Sequence, residues 1–283
     1  MIDPMSTTDD RLAEHKGLAF AKGHGTGNDF VIVPDPHGEL TLSPAVVAAL
    51  CDRRFGIGGD GLLRVVRTVA EPAVSEHGAE AEWFMDYRNA DGSLAEMCGN
   101  GVRVYARYLV EAGLAAGPVV AILTRAGRVV ARVDDDLVSV DMPMPRVLGA
   151  GSVGVGDAEL AGTVATCGNP NLVCRVDDPA GLDLTRPLRL DPGLFPAGAN
   201  VEFVAPTADG VRMRVVERGV GETLSCGSGA CAAAAVVLHE DGQAEGEVVI
   251  DVPGGRLRVT LAGSRCVLTG PAVIVASGTL TLP

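Results

Sequence analysis

The chain has 283 residues, 47% of them hydrophobic, and a formal net charge of −13. That is ample apolar material for two buried cores, and the wrong sign for a nucleic acid or an anionic membrane surface, both of which need a positive face. No Lys/Arg cluster breaks the trend, because two lysines, Lys16 and Lys22, stand beside twenty-one arginines.

Residues 1–16 are polar and acidic and read as a disordered extension with no apolar signal core. Seven cysteines, an odd number, then imply reduced thiols in the cytoplasm rather than a disulfide framework. Phe20 to Val33 reads as a strand interrupted by the turn Gly23-His24-Gly25-Thr26-Gly27. Ser43-Pro44 is an N-cap with proline at the first helical position, so Ala45 to Arg53 is a predicted helix. Strands follow at Leu62 to Val69 and Glu82 to Tyr87, with a turn-rich loop from Arg88 to Met97. Val102, Tyr105, Ala106 and Leu109 have helical spacing, which predicts a helix from Gly101 to Glu111 stopped by Gly113. Val119 to Thr124, Arg128 to Val133 and Leu137 to Asp141 resemble an antiparallel meander, and Met142-Pro143-Met144-Pro145 breaks it.

The second half repeats the scheme. Strands are expected at Leu172 to Val176, Val201 to Val204 and Val211 to Val216, then a loop from Glu217 to Ser225 and a helix from Gly229 to His239. The run Ala230 to Leu238 is apolar all round and far short of the roughly 20 residues that span a bilayer, so it should be wrapped by sheet. A last strand, Ala272 to Ala276, returns to the first half. The expected fold is α/β (α+β), with two pseudo-symmetric domains, each a β-rich shell around a central helix. Their expected bounds are 17–141 with 271–283, and 142–270.

Two segments are near copies: Met97-Cys98-Gly99-Asn100-Gly101 and Ser225-Cys226-Gly227-Ser228-Gly229. Nine residues before each cysteine stands a polar residue, Asn89 or Glu217, and Gly27-Asn28 is echoed by Gly168-Asn169. This order, occurring twice, is the trace of a duplication at domain scale. A helix N-terminus carries unpaired amides and a partial positive charge, so it suits both an anion and a thiolate. The amides of Gly99-Asn100 and Gly227-Ser228 are therefore candidates to hold one carboxylate, with a thiol on either side for two-base racemisation. Ordinary buried cysteines also occur on such turns, but the matched pair favours the thiol site. Cys51, Cys167, Cys174, Cys231 and Cys266 lack this context and read as core residues. His24 is either a ligand contact or a turn histidine satisfied by backbone.

Cofactor sites find little support. Gly56-Ile57-Gly58-Gly59-Asp60-Gly61 matches a dinucleotide pattern, yet it follows a helix and precedes a strand, the reverse of the required order. Pyridoxal phosphate needs a lysine in a pocket, and only Lys16 and Lys22 exist. No Cys-x-x-Cys or His-Glu-x-x-His occurs to suggest zinc.

With those motifs in place, the chain from Phe20 to Leu282 resembles the diaminopimelate epimerase family. The resemblance rests on Gly27-Asn28-Asp29-Phe30, Arg88-Asn89-Ala90-Asp91-Gly92-Ser93, both cysteine motifs, Gly168-Asn169-Pro170, Asn200 and Glu217-Arg218-Gly219. It implies a cofactor-independent isomerase, usually a homodimer, that interconverts LL- and meso-diaminopimelate on the way to lysine and peptidoglycan. It further implies that Cys98 and Cys226 are the acid/base pair and that Gly99, Asn100, Gly227 and Ser228 hold the reacting carboxylate beside Asn28. Asn89, Asn169, Asn200, Glu217 and Arg218 would read the distal amino-acid end, with Glu217 also near the Cys226 thiol. At Asn171 the family usually has a thiol-tuning histidine, and its loss should make Cys98 harder to ionise. At Gly61 many members carry glutamine. The rival readings are a racemase of another amino acid on the same fold and a non-catalytic amino-acid-binding protein.

Overall fold

The computed structural model describes residues 17–281. The expected extension at 1–16 lies outside them. The chain divides into two compact units, Met1–Val138 with Ala272–Pro283, and Ser139–Pro271.

The first unit opens with a hairpin, β1 (Ala19–Gly25) and β2 (Asn28–Pro34), paired antiparallel. Its turn is only Thr26-Gly27, both at positive φ (52° and 82°), the geometry that matches the twist of two-residue hairpins. The expected five-residue interruption therefore shrinks, because Gly23 to Gly25 stay extended in β1. Helix α1 (Pro44–Cys51), capped by the Ser43 hydroxyl on the Val46 amide, carries the chain to β3 (Gly61–Arg67), parallel to β2. β4 (Trp83–Asn89) pairs antiparallel with β3. Helix α2 (Gly99–Glu111) then leads to β5 (Val119–Thr124), parallel to β4, and β6 (Gly127–Asp134) closes back on β5. The sheet curls around α2, which touches every one of these strands and buries Val102, Val104, Tyr105, Ala106 and Leu109.

After β7 (Leu137–Met142), the second unit holds β8 (Arg146–Val155), β9 (Ala158–Cys167), β10 (Asn169–Arg175), the two-residue β11 (Arg189–Leu190), β12 (Asn200–Pro206), β13 (Gly210–Glu217) and β14 (Gly221–Thr223). Helix α3 (Gly227–Glu240) follows, then β15 (Gly246–Val252), β16 (Gly255–Ala262) and β17 (Arg265–Pro271). The last strand, β18 (Val273–Thr279), belongs to the first unit and lies antiparallel to β1.

The two units share one pairing sequence. From β1 through β6 the contacts run antiparallel, parallel, antiparallel, parallel, antiparallel. From β9 through β10, β12, β13 and β15 to β16 they run the same way. In both, the helix occupies the last parallel crossover: α2 joins β4 to β5, and α3 joins β13 to β15. The equivalence puts Asn28 and Asn169 at the starts of β2 and β10, and Asn89 and Glu217 at the ends of β4 and β13. α3 is apolar and almost wholly buried, packed against strands including β9, β10, β12, β15 and β16, as its all-round apolar sequence requires.

Candidate active site

Both helices begin two residues earlier than their apolar spacing suggests, at Gly99 and Gly227, so each motif cysteine is itself the N-cap. Cys98 has φ −139° and ψ 119°, and its Sγ accepts the amide of Gly101 at 3.3 Å. Cys226 has φ −125° and ψ 120°, and its Sγ accepts the amide of Gly229 at 3.4 Å. An extended N-cap with a side-chain acceptor three residues before the bonded amide is ordinary capping geometry, here built with sulfur in place of oxygen. The first amides of each helix have no carbonyl four residues back, which leaves both helix heads able to meet an anion.

Around Cys98 the first unit gathers Asn28 and Asn100. The Cys98 Sγ lies 3.6 Å from Asn28 Oδ1, which also accepts from Asn100 Nδ2 at 3.3 Å. Asn28 is held from behind: its Nδ2 donates to Asp60 Oδ2 at 2.8 Å, and Asp60 Oδ1 receives Arg53 at 2.7 Å. A carboxylate accepts and does not donate, so Asp60 fixes the amide of Asn28 with its oxygen toward the thiol. Arg53 also grips Asp29 through both terminal nitrogens, at 2.9 and 2.7 Å, and Lys22 reaches Asp29 at 2.5 Å. Burial pushes the Asp29 carboxyl up, but Arg53 and Lys22 together hold it well below the usual carboxylate range. Asn89 sits at the end of β4, hydrogen-bonded to Ser93 Oγ at 2.9 Å and to the Tyr87 hydroxyl at 3.1 Å.

The second unit centres on Asn200, at the start of β12. Its Nδ2 points at Cys226 Sγ (3.9 Å) and donates to Asn171 Oδ1 (3.2 Å), while its Oδ1 accepts the backbone amide of Arg218 (3.0 Å). Asn171 is fully buried and anchors itself on the Asn169 carbonyl at 2.7 Å. Arg218 Nη2 lies 3.5 Å from Asn169 Oδ1, and Glu217 Oε1 accepts from Thr223 Oγ1 at 2.5 Å. Ser228 Oγ is 3.5 Å from the Cys226 sulfur.

Helix position alone favours a thiolate, yet the Cys226 thiol is pushed well up instead. Burial is the main cause, followed by the carboxyl groups of Glu217 and Glu202, and the contacts from Ser228 and Gly229 only partly oppose them. Cys226 therefore rests as a thiol.

The chain matches the family model for diaminopimelate epimerase over residues 20–148 and 163–275. It is 54% identical to the diaminopimelate epimerase of Thermobifida fusca, covering 94% of this chain and 98% of that protein. It is 50% identical to that of Streptomyces coelicolor, covering 92% and 94% respectively. The chain belongs to the diaminopimelate epimerase family. As in that family, the fold is sheet-rich with few helices, and it is shared with distant proteins. A Bacillus anthracis phenazine biosynthesis protein of the PhzF family superposes with a TM-score of 0.68 at 17% identity, covering 94% of this chain and 99% of that one. A hydroxyproline epimerase from Agrobacterium vitis gives 0.65 at 16% identity, covering 94% and 93%.

Among the residues read from the diaminopimelate epimerase motifs, Asn28, Asn89, Cys98, Gly99 and Asn100 lie in the first unit, and Asn169, Asn171, Asn200, Glu217, Arg218, Cys226, Gly227 and Ser228 in the second. Within the second unit Asn171 bears on Cys226, through Asn200. Gly61 is a glycine for steric reasons: a Cβ there would lie 2.6 Å from the Arg88 carbonyl and 2.8 Å from the Tyr87 ring. His24 Nδ1 accepts the Gly27 amide at 3.4 Å, the backbone-satisfied alternative. The sequence reading missed Arg53 and Asp60, which sit before and within the glycine loop rejected as a dinucleotide site, and Glu202. Their signals were a charged residue within a glycine run, and an acid two residues beyond Asn200 on a buried strand.

Proposed function

We propose that this protein interconverts LL- and meso-2,6-diaminopimelate without a cofactor, using Cys98 and Cys226 as the acid/base pair. The observation that carries the reading is the matched capping: two cysteines with nearly the same backbone angles, each with its sulfur on the amide three residues on. One thiolate removes the α-proton and the other thiol delivers a proton to the opposite face. The amides of Gly99, Asn100, Gly227 and Ser228 hold the reacting carboxylate and stabilise the charge that develops on it. Asn89, Asn169, Asn200, Glu217 and Arg218 recognise the distal amino-acid end, where a guanidinium can bind a carboxylate with two bonds. Family membership at 54% identity to a named diaminopimelate epimerase supports the substrate.

The same reading makes the protein a cytoplasmic homodimer serving lysine and peptidoglycan precursor synthesis. Solvent deuterium should enter the α-carbon of diaminopimelate on incubation with the protein alone. Exchange confined to another amino acid would make it a racemase of different specificity. Cys98→Ala and Cys226→Ala should each abolish net epimerisation, and appreciable activity in either variant would refute the two-thiol mechanism.

A further inference from the structure

Glu202 is the one fully buried carboxyl among the described residues whose two oxygens take no hydrogen bond from another residue. It stands on β12 two residues after Asn200, and alternate residues of a strand share a face. That face meets the head of α3. A Cβ placed on Gly229 would lie 2.4 Å from Glu202 Oε1, so the glycine of the first helical turn leaves the space that the carboxyl fills. Gly229 is also the residue whose amide caps Cys226 Sγ. The carboxyl thus lies against the same turn as the thiol, from the protein side.

The titratable groups that reach Glu202 are Glu217 at the end of β13, Cys226 at the head of α3 and Cys174 on β10. Each is neutral or negative, and none offers a counter-charge. An ionised carboxylate left without a hydrogen bond or a cation is costly, and burial pushes Glu202 well above the usual carboxylate range, with Glu217 adding to the rise.

We propose that Glu202 is a positioning residue for Cys226: its ionised carboxylate, seated against the turn that caps the sulfur, holds Cys226 as a thiol to higher pH than the helix head alone would. The order follows from intrinsic acidity. A carboxyl starts about four pH units below a thiol, and both groups here are buried at the head of α3, so the carboxyl surrenders its proton first as pH rises. The charge it leaves then opposes a second charge on the sulfur. This rests on the two-thiol reading above and extends it: the charge on Glu202 sets how readily Cys226 can become the base.

Alkylation of the intact protein by iodoacetamide, followed at the Cys226 peptide by mass spectrometry across pH, tests this without requiring turnover. In Glu202→Gln the rise in Cys226 reactivity should move down by about one pH unit, or about tenfold faster alkylation at a fixed pH below the rise. Glu202→Met should move it the same way, since the effect is one of charge. Superimposable profiles for wild type and Glu202→Gln, or a shift with Gln and none with Met, would overturn the proposal. Infrared difference spectra between wild type and Glu202→Gln supply an independent measurement. The band of an un-ionised carboxylic acid should fade before Cys226 becomes reactive, and a band that persists through the rise would equally overturn it. An active Cys226→Ala variant would sink the two-thiol reading and leave these profiles unchanged, so the two failures are distinguishable.

Discussion

The side-chain amide of Asn200 points at the sulfur of Cys226 from 3.9 Å, and the same side chain joins Asn171 and the backbone of Arg218. One buried carboxamide thus ties a thiol to the segment assigned to the distal end of the substrate. Asn200→Ala leaves the Asn171 carbonyl oxygen and the Arg218 amide without this partner. It should cost about 2 kcal/mol of stability, visible in urea unfolding, and lower kcat as well. Unaltered stability would show that the hub is dispensable.

Asp60 acts on Cys98 at one remove, by orienting Asn28. In Asp60→Ala the amide of Asn28 is free to turn, and kcat/KM should fall about tenfold, about 1.4 kcal/mol of transition-state stabilisation. Stability should change by less than about 1 kcal/mol, because Asp60 and Arg53 are both substantially exposed. A variant with full activity removes Asp60 from the site.

Asp29 makes stability depend on acid. Its carboxyl is depressed in the folded chain by Arg53 and Lys22, despite the opposing effect of burial, so it contributes stability at pH values above the unfolded carboxylate pKa. That contribution is lost as pH falls through the folded value. Asp29→Asn should therefore be less stable than wild type by about 1 kcal/mol near pH 7, and the gap should close on acidification below about pH 4. A gap independent of pH would assign the loss to packing.

Asn171 gives a test of how the second unit tunes its thiol. Asn171→His restores the residue usual in the family beside Asn200. The family resemblance ties that histidine to Cys98, while within the second unit the position reaches Cys226 through Asn200. An imidazole that takes up a proton there would draw down the ionisation of the thiol it tunes, moving the alkaline rise of activity to lower pH. An unchanged pH–rate profile would mean that the position has no part in thiol tuning.

Gly61→Gln should fold poorly. The new Cβ meets the Arg88 carbonyl at 2.6 Å, and backbone cannot step aside as a flexible side chain would. A loss of about 1–3 kcal/mol is expected, read as a lower Tm. An unshifted Tm would show that the β3–β4 pair can spread.

Much of this was legible in the chain. Cys98, Cys226 and their glycines announce themselves because capping is local chemistry, decided within four residues. The repeat of Asn28 in Asn169 needs no coordinates either, and the apolar length of α3 already demands burial. Strands β8 and β9 were missed, since Arg146–Val155 and Ala158–Cys167 are rich in glycine and alanine and show little alternation. Their pairing, not their propensity, makes them strands.

The sequence by itself determined the duplication, the two thiols beside helix N-termini and the family, all of which are written in short contiguous motifs. Only the tertiary structure decided which side chains stand behind those thiols. Asp60 reaches Asn28 across 32 positions, Asn200 reaches Cys226 across 26, and Glu202 meets Gly229 through the pairing of a strand with a helix. Such contacts depend on register and on burial, and it is burial that turns Cys226 from the thiolate its helix favours into a thiol.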